Sequence, residues 1–144
     1  MPKAGGRQAT VTFVREHLDR MERGDIDEGI SDYAEDAVLE AALVGEAASV
    51  LNGTFHGREA IGRWIDSWFS SFERGSYRFT VEQSIENGDT AYLALYHTAR
   101  GEASGVDVTL RTYHAFTVRD GAIVRHALSG EREPMLRAAG VDSC

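Results

Sequence analysis

The sequence predicts an α+β fold in which a strongly curved antiparallel sheet forms a cone around a long helix and encloses a deep pocket. Two observations predict this class. Apolar residues recur at helical spacing in the first half of the chain, whereas apolar and polar residues alternate in the second half, as in half-buried strands. Asn87-Gly88 and Asp120-Gly121 lie between alternating segments and are typical of hairpin turns. N-terminal helices followed by consecutive strands indicate an α+β protein.

Two helices are predicted at the start of the chain. The first ends at Gly24, a residue typical of the position after a helix. Asp25 and Glu28 resemble a capping box and predict a short second helix through Ile30 and Tyr33. The apolar face of the first helix consists of Phe13, Val14, His17, Leu18 and Met21.

The middle of the chain predicts a short strand, a loop and the longest helix. The strand spans 36–43, and the segment 44–54 is a loop or a weak edge strand. Gly57 precedes the long helix, and Gly75 ends it. The apolar stripe of this helix consists of Ile61, Trp64, Ile65, Trp68, Phe69 and Phe72.

Four alternating segments predict the sheet, and three histidines fall in their apolar phase. Side chains in that phase should point to the covered face of the sheet. Pro134 then suits the first turn of a short terminal helix that ends near Gly140. The apolar phases are Phe79, Val81, Gln83 and Ile85; Ala91, Leu93, Leu95, His97 and Ala99; Val108, Leu110, Thr112, His114, Phe116 and Val118; and Val124, His126 and Leu128.

Composition limits the functional classes. The 144 residues predict a single domain over 9–140, with a flexible tail over 1–8 and a C-terminal tail over 141–144. The net charge of −8 argues against nucleic-acid binding, which needs a basic face. The only cysteine, Cys144, cannot form an intrachain disulfide. No apolar run has the length of a membrane span and no signal peptide precedes the domain, so we expect a cytoplasmic protein.

Three segments carry a family resemblance. Residues 33–40, 55–69 and 115–131 have the sequences YAEDAVLE, FHGREAIGRWIDSWF and AFTVRDGAIVRHALSGE. Together they resemble the SnoaL-like branch of the nuclear transport factor 2-like superfamily, over about residues 9 to 138. The resemblance implies a cone-shaped fold with a deep, largely apolar pocket. The superfamily includes polyketide cyclases, ketosteroid isomerases, limonene epoxide hydrolases and non-catalytic domains, so the fold leaves the activity open.

The resemblance also places histidines where its enzymes carry acids. His114 corresponds to an acidic residue that isomerases and cyclases often carry on the penultimate strand. The epoxide hydrolases place a reactive carboxylate on the last strand, where this chain has His126 and Leu128, so epoxide hydrolysis by that mechanism is disfavoured. His97 lies near the position of another pocket carboxylate.

Our leading hypothesis is a small, cofactor-free enzyme that isomerises or cyclises an apolar, cyclic or polyketide-like metabolite. His114 and His97 would be the acid–base pair, because imidazole titrates near neutrality, and His126 would be the third catalytic histidine. The substrate would be held by Tyr33, Trp64, Trp68, Gln83, Thr112 and Phe116.

Other interpretations stay open. The histidines could be a hydrogen-bonded core, and the chain a domain that binds a small molecule or only dimerises. Three histidines are also a known zinc arrangement, but no compact ligand motif is present and we expect no metal. Tyr92, Tyr96 and Tyr113 share the opposite phase of the sheet with threonines, which predicts a homodimer through this outer face.

Overall fold

The computed structural model describes residues 9–43 and 51–141. The predicted tail over 1–8, residues 142–144 of the predicted tail over 141–144, and residues 44–50 of the predicted loop lie outside the described residues. The helices are α1 (Thr10–Arg23), α2 (Ile26–Ser31), α3 (Arg58–Ser70) and α4 (Arg132–Ala138). The strands are β1 (Tyr33–Ala42), β2 (Gly53–His56), β3 (Arg78–Asn87), β4 (Thr90–Arg100), β5 (Asp107–Arg119) and β6 (Ala122–Ser129).

The strands of the described ranges form one sheet in the order β2-β1-β6-β5-β4-β3. Strands β3 to β6 form the predicted antiparallel meander, and β2 is an antiparallel edge strand beside β1. Strand β1 pairs with β6 in parallel, which the expectation of an antiparallel sheet did not include. The long stretch of chain between β1 and β6 allows the crossover that a parallel pair needs. The predicted α+β class, with a curved sheet, is confirmed.

Helices α1 and α3 cover the inner face of the sheet. Their apolar stripes, predicted from helical spacing, supply much of the buried core. Helix α1 ends at Gly24, whose φ of +88° is a left-handed conformation that glycine adopts without strain. Buried residues of these two helices are Val14, His17, Leu18, Met21, Ile61, Trp64, Ile65 and Trp68.

Three local predictions in the helical half are wrong. Tyr33 is the first residue of β1 rather than part of α2, because it pairs with Ile123 of β6. The carboxylate of Asp25 accepts a hydrogen bond from Arg23 at 3.1 Å instead of capping α2. Helix α3 ends at Ser70, before Gly75, and the next turn pairs with the sheet through a bridge at Phe72.

A β-bulge in β3 reverses the alternation that the sequence shows. Val81 lies opposite Leu95 on the inner face, but the next paired residue, Gln83, lies opposite Ala94 on the outer face. The Oε1 atom of Gln83 accepts a hydrogen bond from Arg132 of α4 at 3.2 Å. The prediction that Gln83 faces the pocket is therefore wrong, and so is the inward assignment of Ile85, which packs in the outer cluster.

A second bulge separates β5 and β6 near their shared turn. Thr117 pairs with Arg125 and Val118 with Ile123, so Val124 is the extra residue. Ile123 is fully buried in the inner core. The inward assignment of Val124 is wrong, whereas His126 keeps the predicted phase because it lies beyond the irregularity.

Helix α4 covers part of the outer face of the sheet. Met135 and Leu136 form a second buried cluster with Tyr92, which is fully buried. Tyr96 and Tyr113 stay partly exposed. Part of the aromatic character that predicted a dimer interface thus belongs to contacts within the chain, and the homodimer stays a prediction for the rest of this face.

None of the helices in the described ranges combines the length and apolar character needed to cross a bilayer.

Candidate active site

A cavity of about 60 Å³, here called the inner cavity, lies between α1, α3 and the inner face of the sheet. This is room for a few water molecules, and it is less than the roughly 150 Å³ of an apolar cavity that binds benzene, so a ring-sized ligand needs the walls to move apart. None of the described lining residues is a carboxylic acid. The apolar walls include Leu18, Met21, Trp64, Trp68, Phe69, Phe79 and Leu95. The polar lining consists of His17, Tyr33, His97, Thr112, His114 and His126.

A second, larger cavity adjoins the inner one. This outer cavity has a volume of about 340 Å³ and shares Trp68 and Thr112 with the lining of the inner cavity. Its other walls include Leu43, Phe72 and Leu110. Trp68 and Thr112 therefore form the boundary between the two cavities.

One wall of the inner cavity carries a continuous run of hydrogen bonds, which we call the histidine chain. Its members, in order, are Trp68, Tyr77, His97, Thr112, His114, His126 and Tyr33. Trp68 Nε1 donates to Tyr77 Oη at 2.8 Å, and Tyr77 Oη lies 2.5 Å from His97 Nδ1. His97 Nε2 lies 2.6 Å from Thr112 Oγ1.

The second half of the histidine chain crosses from β5 to β6 and β1. Thr112 Oγ1 lies 2.6 Å from His114 Nε2, and His114 Nδ1 lies 2.9 Å from His126 Nε2. His126 Nδ1 lies 2.7 Å from Tyr33 Oη. Both nitrogens of each of the three imidazoles are thus engaged within the protein.

The two ends of the histidine chain determine its direction. Trp68 Nε1–H can only donate, so Tyr77 Oη accepts that bond. If the other bonds ran toward Tyr77, its hydroxyl proton would have no acceptor among the described residues, because its ring packs against Phe69 and Phe79. If they run toward Tyr33, the last proton is on a hydroxyl that lines the cavity. Each direction leaves one terminal hydroxyl proton without a described acceptor, but Tyr33 lines the cavity and Tyr77 does not, so we assign the direction toward Tyr33, in which a ligand can accept that proton.

This direction assigns the tautomer of each histidine. Tyr77 donates to His97 Nδ1, and His97 Nε2–H donates to Thr112. The hydroxyl of Thr112 donates to His114 Nε2. The Nδ1–H groups of His114 and His126 then donate onward, the second of them to Tyr33 Oη.

Burial keeps every group of the histidine chain neutral at physiological pH. It lowers the pKa of His97 to about 4 and lowers the pKa values of His114 and His126 well below 6.5. Burial also raises the pKa values of the Tyr33 and Tyr77 hydroxyls. The imidazoles are therefore uncharged and the phenols protonated, which is the state that the directed hydrogen bonds require.

A charged cluster on the other side of the inner cavity was missed by the sequence analysis. His17 Nδ1 lies 2.9 Å from Asp32 Oδ2, and Arg20 contacts both oxygens of Asp32 at 3.0 Å. Burial raises the pKa of Asp32, but its hydrogen bonds and electrostatic interactions with His17 and Arg20 outweigh that effect and lower the pKa. The sequence did show His17 within the apolar stripe of α1. No sequence pattern identified its partner, Asp32, which follows α2.

The predicted site residues divide into two groups. The structure brings His97, His114, His126, Tyr33, Thr112, Trp64 and Trp68 to the inner cavity. Trp64 and Trp68 stack with ring centroids 5.8 Å apart. Phe116 is fully buried and stacks behind His126 at 3.9 Å, outside the described cavity lining, so its prediction as a substrate contact is wrong. Gln83 lies on the outer face, as described above.

The arrangement of the histidines bears on the zinc alternative. Their nitrogens point at one another or at hydroxyls, with His114 Nδ1 only 2.9 Å from His126 Nε2. Within residues 9–43 and 51–141, no group of three histidine, cysteine or acidic side chains is arranged to hold a metal ion. The geometry that is present is that of hydrogen bonding.

We expect Thr112→Val to break the histidine chain at its centre with little change in volume. Two buried imidazole nitrogens, on His97 and His114, would lose their partner, which should lower the free energy of unfolding by about 2 kcal/mol. Urea unfolding measures this loss. Thr109→Val, an exposed position on the same strand, is the matched control and should change stability by less than about 0.5 kcal/mol. Equal effects of the two variants would contradict the buried chain.

The fold and the cavity together define a class of small α+β proteins in which a curved sheet and its helices enclose a pocket, as in nuclear transport factor 2-like proteins. A family model described as a SnoaL-like domain matches residues 14–126. The chain therefore belongs to the SnoaL-like domain family, which confirms the resemblance seen in the sequence motifs.

Solved structures with the same fold are distant in sequence. An NTF2-like protein of unknown function from Burkholderia pseudomallei is 19% identical, with a TM-score of 0.71 over 92% of this chain and 98% of that one. TerC, co-crystallised with polyporic acid, is 21% identical, with a TM-score of 0.67 over 83% and 88%. A candidate SnoaL-like polyketide cyclase from Mesorhizobium loti is 22% identical, with a TM-score of 0.56 over 84% and 98%. A comparison with curated proteins gave no match.

Proposed function

We propose that this protein catalyses a cofactor-free, acid–base isomerisation or cyclisation of a small apolar metabolite that contains a ring and a carbonyl group. One observation supports this function above all. The histidine chain ends at Tyr33, whose Oη lies 2.7 Å from His126 Nδ1 and which lines an apolar cavity, so in the direction assigned above its hydroxyl proton is the one left for a ligand. A donor placed in such a cavity stabilises the negative charge that develops on a carbonyl oxygen when a neighbouring carbon loses a proton.

The same observation revises the roles of the histidines. His114 and His97 were hypothesised to exchange protons with the substrate, which requires a free nitrogen on each. Both nitrogens of each ring are engaged, so we assign His97, His114 and His126 as positioning residues that orient and polarise the Tyr33 hydroxyl. Tyr33 is the catalytic residue that contacts the substrate oxygen.

The walls of the two cavities support the substrate class. The stacked rings of Trp64 and Trp68 offer a flat apolar surface to a ring, and no carboxylic acid is present among the described lining residues of the inner cavity. TerC was co-crystallised with polyporic acid, and another protein of the same fold is a candidate polyketide cyclase. These favour a ring-containing ligand without a positive charge, whose reacting carbonyl we place beside Tyr33.

The test uses two small cyclic ketones. Cyclohex-3-en-1-one isomerises to its conjugated isomer by loss and return of a carbon-bound proton, which ultraviolet absorbance follows. We expect the protein to accelerate this reaction and, in D₂O, to incorporate deuterium next to the carbonyl of 2-tetralone. Rates equal to those in buffer for both ketones, at a protein concentration that binds them, would contradict the proposed isomerase.

A binding protein without catalysis is the second candidate, because the three imidazoles are already satisfied by bonds within the protein. It requires saturable binding of a flat phenol such as 2-naphthol with no deuterium exchange in either ketone.

Under either function we retain the proposal of a homodimer through the outer face around Tyr96 and Tyr113, which sedimentation at micromolar concentration tests. The cytoplasmic location also stays a prediction.

A further inference from the structure

We propose that His17, held by Asp32, is the base that removes the proton from the ligand carbon in the inner cavity and returns it. This assignment rests on the proposed function and supplies the group that the histidine chain cannot provide. The Nε2 lone pair of His17 takes the proton as the carbon–hydrogen bond breaks. The electron pair becomes an enolate, whose oxygen accepts the hydrogen bond from Tyr33. The proton on Nε2 then returns to a different carbon, so the step is balanced without another reactant.

Asp32 determines which nitrogen of His17 is available. The Asp32 carboxylate accepts a hydrogen bond from His17 Nδ1 at 2.9 Å, so Nδ1 keeps its proton and Nε2 is the nitrogen that gains or loses one. Arg20 holds the same carboxylate with two bonds of 3.0 Å, and both Asp32 and His17 are largely buried. A carboxylate fixed in this way orients the imidazole and stabilises the imidazolium that forms when Nε2 takes a proton.

The position of His17 suits a partner of Tyr33. Both residues line the inner cavity, one from α1 and the other from β1, and their ring centroids lie 5.3 Å apart in an edge-to-face arrangement. A ligand that occupies the inner cavity can therefore contact both side chains at once. A base and a hydrogen-bond donor on the same carbonyl-bearing ligand are what proton abstraction beside a carbonyl needs.

His17 also differs from the other described histidines. His97, His114 and His126 use both ring nitrogens within the histidine chain, and His56 is exposed on β2, away from the cavity. Nε2 of His17 has no hydrogen-bond partner among the described residues. Of the four histidines that line the inner cavity, His17 is therefore the one whose described contacts leave a lone pair for a ligand.

Covalent labelling tests this assignment without a known substrate. The probe is 2-bromoacetophenone, which combines an apolar ring and a ketone as the proposed ligand does. Its CH₂ carbon is attacked by an unprotonated imidazole nitrogen, so that a carbon–nitrogen bond forms and bromide leaves. We expect peptide mapping by mass spectrometry to find the adduct on His17, faster than on exposed His56, and 2-naphthol to slow it. Adducts on His97, His114 or His126, or on His56 alone, would overturn the assignment.

A matched pair of variants tests the role of Asp32. Asp32→Asn should slow labelling of His17 at least about tenfold, because the carboxylate that fixes the tautomer is lost. Asp25→Asn, which removes an exposed carboxylate bound to Arg23, should leave the rate unchanged. Equal rates in the two folded variants would overturn the role of Asp32. If Asp32→Asn does not fold, the wild-type adduct map decides alone.

The labelling result and the proposed function can fail separately. An adduct on His17 together with no deuterium exchange in the ketones would support a reactive Nε2 on His17 but contradict the proposed isomerase activity. Deuterium exchange that persists in His17→Gln would keep the isomerase and overturn His17 as its base.

Discussion

Acidification from pH 7 to pH 5 is expected to lower the free energy of unfolding by about 5 kcal/mol, a large part of the stability of an ordinary domain. The cause is the burial of three neutral imidazoles in the histidine chain. The folded protein holds the pKa of His97 at about 4 and those of His114 and His126 well below 6.5. Once unfolded, all three return to ordinary values near 6.5.

The direction of the effect follows from proton binding. Below pH 6.5 the unfolded chain binds protons on these histidines that the folded protein does not bind, so stability falls as the pH falls. Each histidine contributes about 1.4 kcal/mol per pH unit within this window, which ends near the folded pKa. The lowered pKa of Asp32 acts separately, because its contribution is present above its ordinary value of 3.8 and is lost below that pH.

Urea unfolding between pH 7.5 and pH 5 measures this dependence. The slope of the unfolding free energy against pH gives the number of protons taken up on unfolding. We expect this number to approach three near pH 5 in the wild type and to be about one lower in His97→Gln. His56→Gln removes an exposed histidine and should keep the wild-type slope. A wild-type slope below one proton would show that the imidazoles are hydrated or charged in the folded protein, and the directed histidine chain would then be wrong.

The sequence was sufficient to predict the face on which the histidines lie. Strands β4 and β5 alternate without interruption through His97, Thr112 and His114, so counting every second residue gave the correct phase. His126 was placed correctly because it lies beyond the bulge near Val124. The fold followed from the same alternation together with the family motifs.

The errors come from single-residue irregularities that alternation cannot reveal. The bulge after Val81 moves Gln83 and Ile85 to the outer face, although the apolar and polar residues of the sequence continue to alternate through it. Ile85 is apolar because α4 covers the outer face there, and not because it belongs to the pocket. Alternation therefore shows that a residue is buried on one face of the sheet, but it does not show whether that face is the inner one or the outer one.

The partners of the histidines were also beyond reach of the sequence. Tyr77 lies before β3, outside any periodic segment, yet its hydroxyl begins the run of imidazole bonds. Asp32 lies between α2 and β1, and only the packing of α1 brings His17 to it. Contacts of this kind depend on tertiary structure, so the sequence identified which side chains are buried together but not which atoms remain free.

Tyr33→Phe is expected to lower the rate of ketone isomerisation by about 10²- to 10³-fold, the usual cost of removing one donor to a developing oxyanion. The variant keeps the aromatic ring that packs against His17 and His126, so the apolar contact with a ligand keeps its shape. The dissociation constant of 2-naphthol should therefore change by less than about threefold. Initial rates with cyclohex-3-en-1-one and a fluorescence titration measure the two quantities.

Tyr77→Phe is the matched control because it removes a hydroxyl from the opposite end of the same histidine chain. Tyr33→Phe leaves His126 Nδ1 without its partner, at a cost of about 1–3 kcal/mol of stability, whereas Tyr77→Phe leaves both His97 Nδ1 and Trp68 Nε1 without theirs and should cost at least as much. Tyr33 lines the inner cavity and Tyr77 does not, so Tyr77→Phe should slow isomerisation by no more than about tenfold. Equal losses of rate in the two variants would mean that the histidine chain acts only through folding, and that the donor to the ligand is another group.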